Sequence, residues 1–182
     1  MLSIPGMKPA PDMIELIEPL IPALRRYARA LMRDREAADD LVQDCLERAI
    51  TRWRQRRGDA GTRAWMLTML HNLAMNRMKS RKRRGVHLPL DENEAAALAQ
   101  PPEQEGAMRR RDLMAALDRL PEDQRQLLLL VSLEGVSYAE AAAITGAPIG
   151  TVMSRLSRGR ERLRQLLDGE AEADRPALRI VK

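Results

Sequence analysis

The residues of this 182-residue sequence that most clearly indicate a binding chemistry are basic, and they occur in clusters. Guanidinium and ammonium groups attract phosphate oxygens, so clustered basic residues predict a polyanionic partner. A single run could equally be a solvated helix face, but three runs in one small chain favour binding. The runs are Arg52, Arg54, Arg56, Arg57 and Arg63; Arg77, Lys79, Arg81, Lys82, Arg83 and Arg84; and Arg155, Arg158, Arg160, Arg162 and Arg164.

Motifs for catalysis are missing from the sequence. It contains no recognisable set of nucleophile, base and orienting group, and no glycine-rich phosphate-binding loop. The one cysteine, Cys45, and the two histidines have no metal-ligand spacing. We therefore expect a protein that is not an enzyme and that uses no metal and no cofactor.

Residues 34–50 predict a helix with an apolar face and an acidic face. The apolar positions recur at helical spacing: Ala38, Leu41, Val42, Cys45, Leu46 and Ala49. The opposite face stacks four carboxylates: Glu36, Asp40, Asp44 and Glu47. Like charges at this spacing cost an isolated helix about 0.2–0.5 kcal/mol per pair, so a basic protein surface is the expected partner. A merely soluble helix face is the alternative.

A second long helix is predicted from Thr62, a candidate N-cap, to about Arg83. Its core stripe is Met66, Met69, Leu70 and Leu73, and we expect Trp65 to pack with it rather than to stack on a base. The polar residues off this stripe are His71, Asn72, Asn76, Lys79 and Ser80. Amide groups can pair with base edges, and the basic end can neutralise phosphates. The preceding basic loop, RQRRGDAGT, could close over an extruded nucleotide.

Residues 120–167 carry a helix-turn-helix pattern. One helix opens near Pro121 and ends at Gly135, and the next begins with capping-box spacing from Ser137 to Glu140. After a turn with Gly146, the last helix shows one apolar stripe: Ile149, Val152, Leu156, Leu163 and Leu167. An ordinary antiparallel helix pair is the alternative.

The outer face of that last helix holds the candidate base readers. In a helix-turn-helix the second helix enters the DNA major groove by its N-terminal part. The residues so placed are Thr151, Ser154, Arg155 and Arg158. We expect Arg160, Arg162 and Arg164 to touch phosphates or solvent, and Gly159 to admit a neighbouring helix closely.

These patterns require two small helical bodies. The sequence has no Phe, and Leu, Ala and Met supply most of its apolar bulk, which favours helices over strands. Residues 83–106 contain three prolines and five acids without apolar periodicity, which predicts a flexible acidic linker. We expect an all-α fold with domains at 10–82 and 107–168 and a tail at 169–182.

Membrane insertion and secretion are not expected. No stretch approaches the roughly 18 uncharged apolar residues of a spanning helix. The N-terminal sequence lacks the basic start and apolar block of a secretory signal. We therefore expect a cytoplasmic protein without a membrane span.

The motifs resemble a known family. The segment LPEDQRQLLLLVSLEGVSYAEAAAITGAPIGTVMSRLSRGRERLRQLL resembles region 4 of bacterial RNA polymerase sigma factors of the extracytoplasmic-function class. The segments REAADDLVQDCLERAI and TRAWMLTMLHNLAMNRMKSRKRR resemble regions 2.2 to 2.4 of the same class. The sequence departs from the family pattern at His71, where a basic or small residue is commoner, and at Gly159, where alanine is usual.

The resemblance implies a transcription initiation factor that binds core RNA polymerase, recognises two promoter elements and promotes DNA melting. Docking on the clamp helices of the largest polymerase subunit would use Asp39, Asp40, Asp44 and Glu47. The downstream element would be read in melted, single-stranded form by Arg56, Arg57, Thr62, Asn72, Asn76, Arg77 and Lys79. The upstream element would be read as duplex DNA by Thr151, Ser154, Arg155, Arg158 and Arg162. The linker would thread toward the active-site channel, and an anti-sigma factor is a further expected partner.

Two other functions remain open on the sequence. A stand-alone helix-turn-helix regulator would act without polymerase, but it leaves the acidic stripe unexplained. A sigma-mimicking interaction protein would titrate an anti-sigma partner, but it would not need the basic base readers.

Overall fold

A computed structural model describes the backbone of residues 11–55, 61–83 and 104–173, and these ranges are helical apart from short turns. The first unit contains α1 (Pro11–Ile17), α2 (Ile21–Met32), α3 (Arg35–Arg52) and α4 (Thr62–Arg83). The second contains α5 (Gln104–Asp118), α6 (Glu122–Leu128), a π-helical segment (Leu129–Leu133), α7 (Tyr138–Thr145) and α8 (Ile149–Ala173). The expected all-α fold class is confirmed. Residues 84–103 of the predicted linker and 174–182 of the predicted tail lie outside the described residues.

The core of the first unit forms where α2, α3 and α4 pack together. Asp34 caps α3, because its carboxylate accepts a hydrogen bond from the backbone N–H of Ala37 at 2.9 Å. The whole predicted apolar face of α3 is buried. Cys45 is the small core residue that was predicted, and its thiol donates to the carbonyl of Met66 at 3.7 Å.

The core of α4 differs from the prediction at two positions. Met66, Leu70 and Leu73 are buried as expected, but Met69 is only half-buried. His71, which was assigned to the polar side, is buried instead, with 3% of its surface exposed. The prediction was wrong because Tyr27 of α2 lies against this position, where its hydroxyl shares a 3.0 Å hydrogen bond with Nδ1 of His71.

The second unit is the predicted helix-turn-helix. Ser137 and Glu140 form both hydrogen bonds of the capping box at the start of α7. Gly146 takes a left-handed φ of +68° at the turn into α8, a conformation that favours glycine. Gly159 lies where α8 approaches α6: an added Cβ would sit 3.1 Å from Cδ1 of Leu128. The prediction of a close helix contact at Gly159 is therefore confirmed.

The two units share one continuous apolar core, to which both contribute buried side chains. The contact is made by α7 on α4 and by the π-helical segment on α2. Sequence periodicity did not predict this contact, since a period describes which face of a helix is apolar and not which helix covers it.

Two polar clusters border the contact. In one, Arg26 donates from Nε and Nη2 to the two carboxylate oxygens of Glu134, both at 2.9 Å, and the Glu134 side chain is fully buried. In the other, Arg125 is 1% exposed and donates to the carbonyls of Ala30 and Leu31 at the end of α2. Asp118 accepts from Arg125 at 3.2 Å and pairs with Arg33 at 2.6 Å. These contacts join charged groups and carbonyls across the two units, whereas the buried Nε of Arg125 has no hydrogen-bond partner among the described residues.

Candidate nucleic-acid interface

The outer face of α8 presents the predicted upstream readers. Ser154 and Arg158 are exposed and Thr151 is half-buried, while Val152 and Leu156 anchor the helix in the core. The Arg158 guanidinium folds back along the helix and donates to the Ser154 carbonyl at 3.2 Å and to its hydroxyl at 3.4 Å. Ser154 and Arg158 therefore form one polar patch on the first turns of the recognition helix.

The other arginines of α8 have different surroundings. Arg155 is held against α6 by an ion pair with Asp123 at 2.9 Å. Arg160 donates to the hydroxyl of Tyr138 at 3.0 Å and lies 6.0 Å from the centre of its ring. Arg162 is exposed and makes no ion pair or hydrogen bond within the described ranges. Arg158 and Arg162 are thus the most accessible to DNA, whereas Arg155 must first break its ion pair with Asp123.

A second polar face lies on α4, in the other unit. Asn72, Asn76 and Lys79 are exposed, and their spacing of four and three residues places them in one row. Asn76 and Lys79 also line an open surface depression with Lys82 and Arg83. The arrangement combines amide donors and acceptors with cations, which suits a single strand with exposed base edges.

The remaining predicted downstream residues are placed less favourably or not described. Thr62 is 4% exposed, so its side chain faces the interior. Arg77 pairs with Asp44 on α3 at 2.5 Å and donates to the carbonyl of Ala37 at 3.2 Å, so it ties α4 to α3. Arg56 and Arg57 lie outside the described residues.

The acidic face of α3 is present, but its carboxylates are not equivalent. Asp39 lies 3.6 Å from Arg29, and Asp44 is bound by Arg77. Glu47 accepts a hydrogen bond from Gln43 at 3.1 Å. Asp40 is exposed and has no ion pair in the part of the chain that the structure describes. Asp40, Glu47 and Glu36, at the start of the helix, are therefore the carboxylates of this face that no arginine of the described residues neutralises.

The surroundings of buried His71 indicate a structural role and not a role in binding. Its Nδ1 shares a 3.0 Å hydrogen bond with the hydroxyl of Tyr27 on α2. Burial lowers the pKa of His71 to about 4, so the ring is neutral at pH 7. Burial likewise raises the pKa of Tyr27, which keeps its hydroxyl protonated.

One aromatic contact completes the description of the predicted residues. Trp65 packs edge-on against Trp53, with 6.2 Å between ring centres, so the expectation that it packs is confirmed.

Among residues with described side chains, no group of three or more His, Cys, Asp or Glu could hold a metal ion. None of the described helices is both long and apolar enough to cross a membrane.

The sequence prediction missed a feature of α8. Ile149 was assigned to its apolar core stripe, but it is 49% exposed. Met153, one turn later, is 50% exposed. Ile149 has the spacing of the core stripe, but it is the first residue of the helix, and there its side chain is left exposed. A search for large apolar residues flanking the polar readers would have found the pair.

Two family models match the chain, one in each unit. Residues 17–71 match the sigma2 domain of PhyR, and residues 110–163 match region 4 of sigma-70. The first match covers α2, α3 and the first part of α4, and the second covers the helix-turn-helix. Both structural units therefore have a recognised counterpart, in the order that the sequence motifs predicted.

Relatives with known names span most of the chain. The ECF RNA polymerase sigma factor EcfG of Rhodopseudomonas palustris is 40% identical over 147 residues, which cover 81% of this chain and 80% of that protein. Among solved structures, the sigma factor RpoE in complex with the anti-sigma factor NepR, from Bartonella quintana, is similar with a TM-score of 0.75 and 35% identity. That match covers 87% of this chain and 98% of RpoE. CnrH in complex with the cytosolic domain of CnrY is similar with a TM-score of 0.64 and 25% identity, over 86% of this chain and 88% of that one.

Proposed function

Because this chain belongs to the extracytoplasmic-function (ECF) sigma factors, it binds core RNA polymerase and promoter DNA, and we propose how its residues divide that work. The proposal rests on one observation: each unit carries its own outward polar face, Ser154 with Arg158 on α8 and Asn72 with Asn76 on α4. Two faces on two units suit two separate promoter elements.

The second unit reads the upstream element as duplex DNA. The start of α8 enters the major groove, where Arg158 and Ser154 hydrogen-bond to base edges. Thr151 lies beside them. Arg155 also binds DNA once its ion pair with Asp123 is broken. Arg162, a full turn beyond Arg158, neutralises a phosphate and contributes affinity without sequence preference.

The first unit reads the melted downstream element. Asn72 and Asn76 recognise bases, and Lys79 neutralises the strand backbone. We assign capture of an unpaired base to Arg56 and Arg57, whereas Thr62, the buried first residue of α4, supports the end of that segment. Arg77 contributes once it releases Asp44. Holding an unpaired base shifts the duplex toward its melted form only by the preference for that form, about 1–3 kcal/mol per stacked base. Polymerase contacts must supply the rest of the melting free energy.

The acidic face of α3 docks on the polymerase clamp. Asp40 and Glu47 supply the exposed charges, and Asp39 and Asp44 add to the field despite their arginine partners. Electrostatic attraction of this kind sets the association rate and the register of docking. The polymerase performs nucleotidyl transfer, so this chain needs no catalytic group, and it acts in the cytoplasm where transcription takes place.

An anti-sigma factor is the further partner we propose. RpoE of Bartonella quintana was solved with the anti-sigma factor NepR, and CnrH with the cytosolic domain of CnrY. The match of residues 17–71 to the sigma2 domain of PhyR also favours a second candidate function, a sigma-like domain that binds an anti-sigma partner without initiating transcription. The outward readers Ser154 and Arg158 favour initiation, because a protein of that second kind does not read DNA.

Run-off transcription tests the proposal. Core RNA polymerase is given a library of randomised promoters with this chain, without it, or with a variant in which Ser154 and Arg158 are both alanine. We expect transcripts only with the unaltered chain, and a common upstream motif among the transcribed templates. A matched control variant, Glu161→Ala, alters an exposed residue of α8 that faces its own helix neighbours and should leave transcription intact. A chain that leaves core polymerase silent on every template would contradict initiation and favour the second candidate.

A further inference from the structure

Two large apolar side chains are exposed at the start of α8. Ile149 is 49% exposed and Met153 is 50% exposed. They lie four residues apart, so they occupy the same side of the helix. Apolar surface of this size is stabilised when a partner removes it from water. The predicted readers of the upstream element did not include either residue.

The surroundings of the pair favour DNA as the partner. Residues 149–160 contain three arginines and no Asp or Glu. Met153 is directly followed by Ser154, whose hydroxyl lies within 3.4 Å of the Arg158 guanidinium. The apolar pair therefore lies inside a cationic surface, on the part of the helix that enters a major groove. A purely apolar protein partner would leave Arg158 and Arg160 without counter-charge, since within the described residues only Arg155 of the three arginines is paired, with Asp123.

We infer that Met153, with Ile149 beside it, recognises a thymine of the upstream element through the 5-methyl group of that base. The inference rests on the proposed function of α8 and specifies what its apolar side reads. Thymine is the only one of the four bases that presents a methyl group in the major groove. Methionine suits this contact because its unbranched side chain adapts to the position of a small apolar group.

The contact divides recognition between two kinds of side chain. Ser154 and Arg158 provide hydrogen bonds to donors and acceptors on base edges. Met153 and Ile149 provide no hydrogen bond, so they discriminate by the presence of the methyl group alone. A base pair whose pyrimidine is cytosine lacks that group and loses the contact, and the thymine can lie on either strand.

The test uses polymerase holoenzyme containing the full chain and an upstream duplex selected from a randomised library. Each thymine of the selected element is replaced, one at a time, by deoxyuridine, which lacks only the methyl group. We expect at least one position where the replacement weakens binding about fourfold, the effect of losing one buried methyl-sized group. At that position Met153→Ala should bind thymine and uracil duplexes equally.

Variants separate this contact from a general effect on the protein. Met153→Leu keeps an apolar side chain and should retain most of the preference for thymine, and Ile149→Ala should reduce it. Leu113→Ala removes another exposed apolar side chain, outside α8, and should leave the preference unchanged. Because all of these side chains are exposed, the variants are expected to fold.

Two results would overturn the inference while leaving the proposed function in place. One is a selected element in which no deoxyuridine replacement changes binding. The other is a Met153→Ala protein that distinguishes thymine from uracil as well as the unaltered chain does, which would assign the pair to a protein partner. Failure to select any element would instead contradict the proposed function of α8.

Discussion

Burial separates the ionisable side chains of this protein into two groups with different roles. Arg125, Glu134 and His71 are each less than 5% exposed and bind other parts of the chain. Asp40, Lys79 and Arg158 face solvent, where the proposed function has them bind other molecules. Substitutions in the first group are therefore expected to alter stability, and substitutions in the second to alter recognition.

The buried imidazole of His71 makes stability depend on pH. Its pKa is lowered to about 4 in the folded protein from 6.5, so the unfolded chain takes up the proton first as the pH falls. The contribution is complete above pH 6.5 and is lost between pH 6.5 and 4. We expect the free energy of unfolding to fall by roughly 2–3 kcal/mol between pH 7 and 4.5 from this residue. Urea unfolding at both pH values measures the fall.

The matched variant is His71→Gln, which keeps a hydrogen-bonding group near Tyr27 but has no proton to gain. Carboxylates titrate alike in both proteins, so the difference between the two pH dependences isolates the imidazole. Equal pH dependence in the two proteins would mean that His71 is protonated as readily in the folded state as in the unfolded one.

The exposed carboxylate of Asp40 provides a clean test of docking. Asp40→Lys reverses a charge without breaking an ion pair of the described chain, so we expect polymerase affinity to fall at least tenfold while the melting temperature stays within about 2 °C. Fluorescence anisotropy with core polymerase measures the affinity. Asp44→Lys serves as the comparison, because it also breaks the pair with Arg77 and should lower both stability and affinity.

At the scale of the elements, helix starts determine how the recognition helix is presented. The capping box at Ser137 holds the first turn of α7, and α7 in turn sets the turn into α8. The backbone N–H of Ser137 donates to Glu140 at 2.7 Å, and these hydrogen bonds hold the pKa of the Glu140 carboxyl below its ordinary value. The position of the proposed base readers therefore depends on Ser137 and Glu140, which lie outside the proposed DNA-binding face.

Ser137→Ala should lower the free energy of unfolding by about 1 kcal/mol, because the N–H of Glu140 loses its acceptor. Denaturant unfolding measures the loss. Ser132→Ala, at an exposed serine of the π-helical segment, is the control and should change stability by less than about 0.5 kcal/mol. Similar losses in the two variants would mean that the cap does not stabilise α7.

Periodicity and caps predicted the individual elements well and their mutual packing poorly. The apolar face of α3 and the capping box of α7 were predicted residue by residue, because local spacing determines both. His71 and Ile149 were assigned to the wrong side, because the first packs against Tyr27 of α2 and the second is the exposed first residue of α8. The roles of Asn72 and Arg158 remain predictions, to be tested by the experiments above.

At the scale of the whole molecule, the packed arrangement fixes both DNA-facing surfaces in one body. Glu134 is central to it, since Arg26 and Arg63 of the first unit both reach its buried carboxylate. Replacing Glu134 breaks both ion pairs between the units, although the Arg26 and Arg63 side chains are 41% and 40% exposed and can still be hydrated. The contact between the units is thus sensitive to this single residue.

Glu134→Ala should separate the two units while leaving their helices folded. We expect the radius of gyration from small-angle scattering to increase and the far-ultraviolet circular dichroism to remain unchanged. Glu161→Ala, at an exposed carboxylate of α8 whose partners lie on its own helix, is the control and should keep the packed dimensions. Unchanged dimensions in Glu134→Ala would show that the apolar contacts alone hold the units together.

The Arg125 guanidinium binds the end of α2, so separation of the two units changes the hydration of the groups that meet there. When the units part, the carbonyls of Ala30 and Leu31 and the arginine itself must all be taken up by water. Solutes that are excluded from protein surfaces, such as sucrose or trimethylamine oxide, disfavour that uptake and shift the population toward the joined form. We therefore expect the balance between joined and separated units to follow the osmotic strength of the surrounding solution.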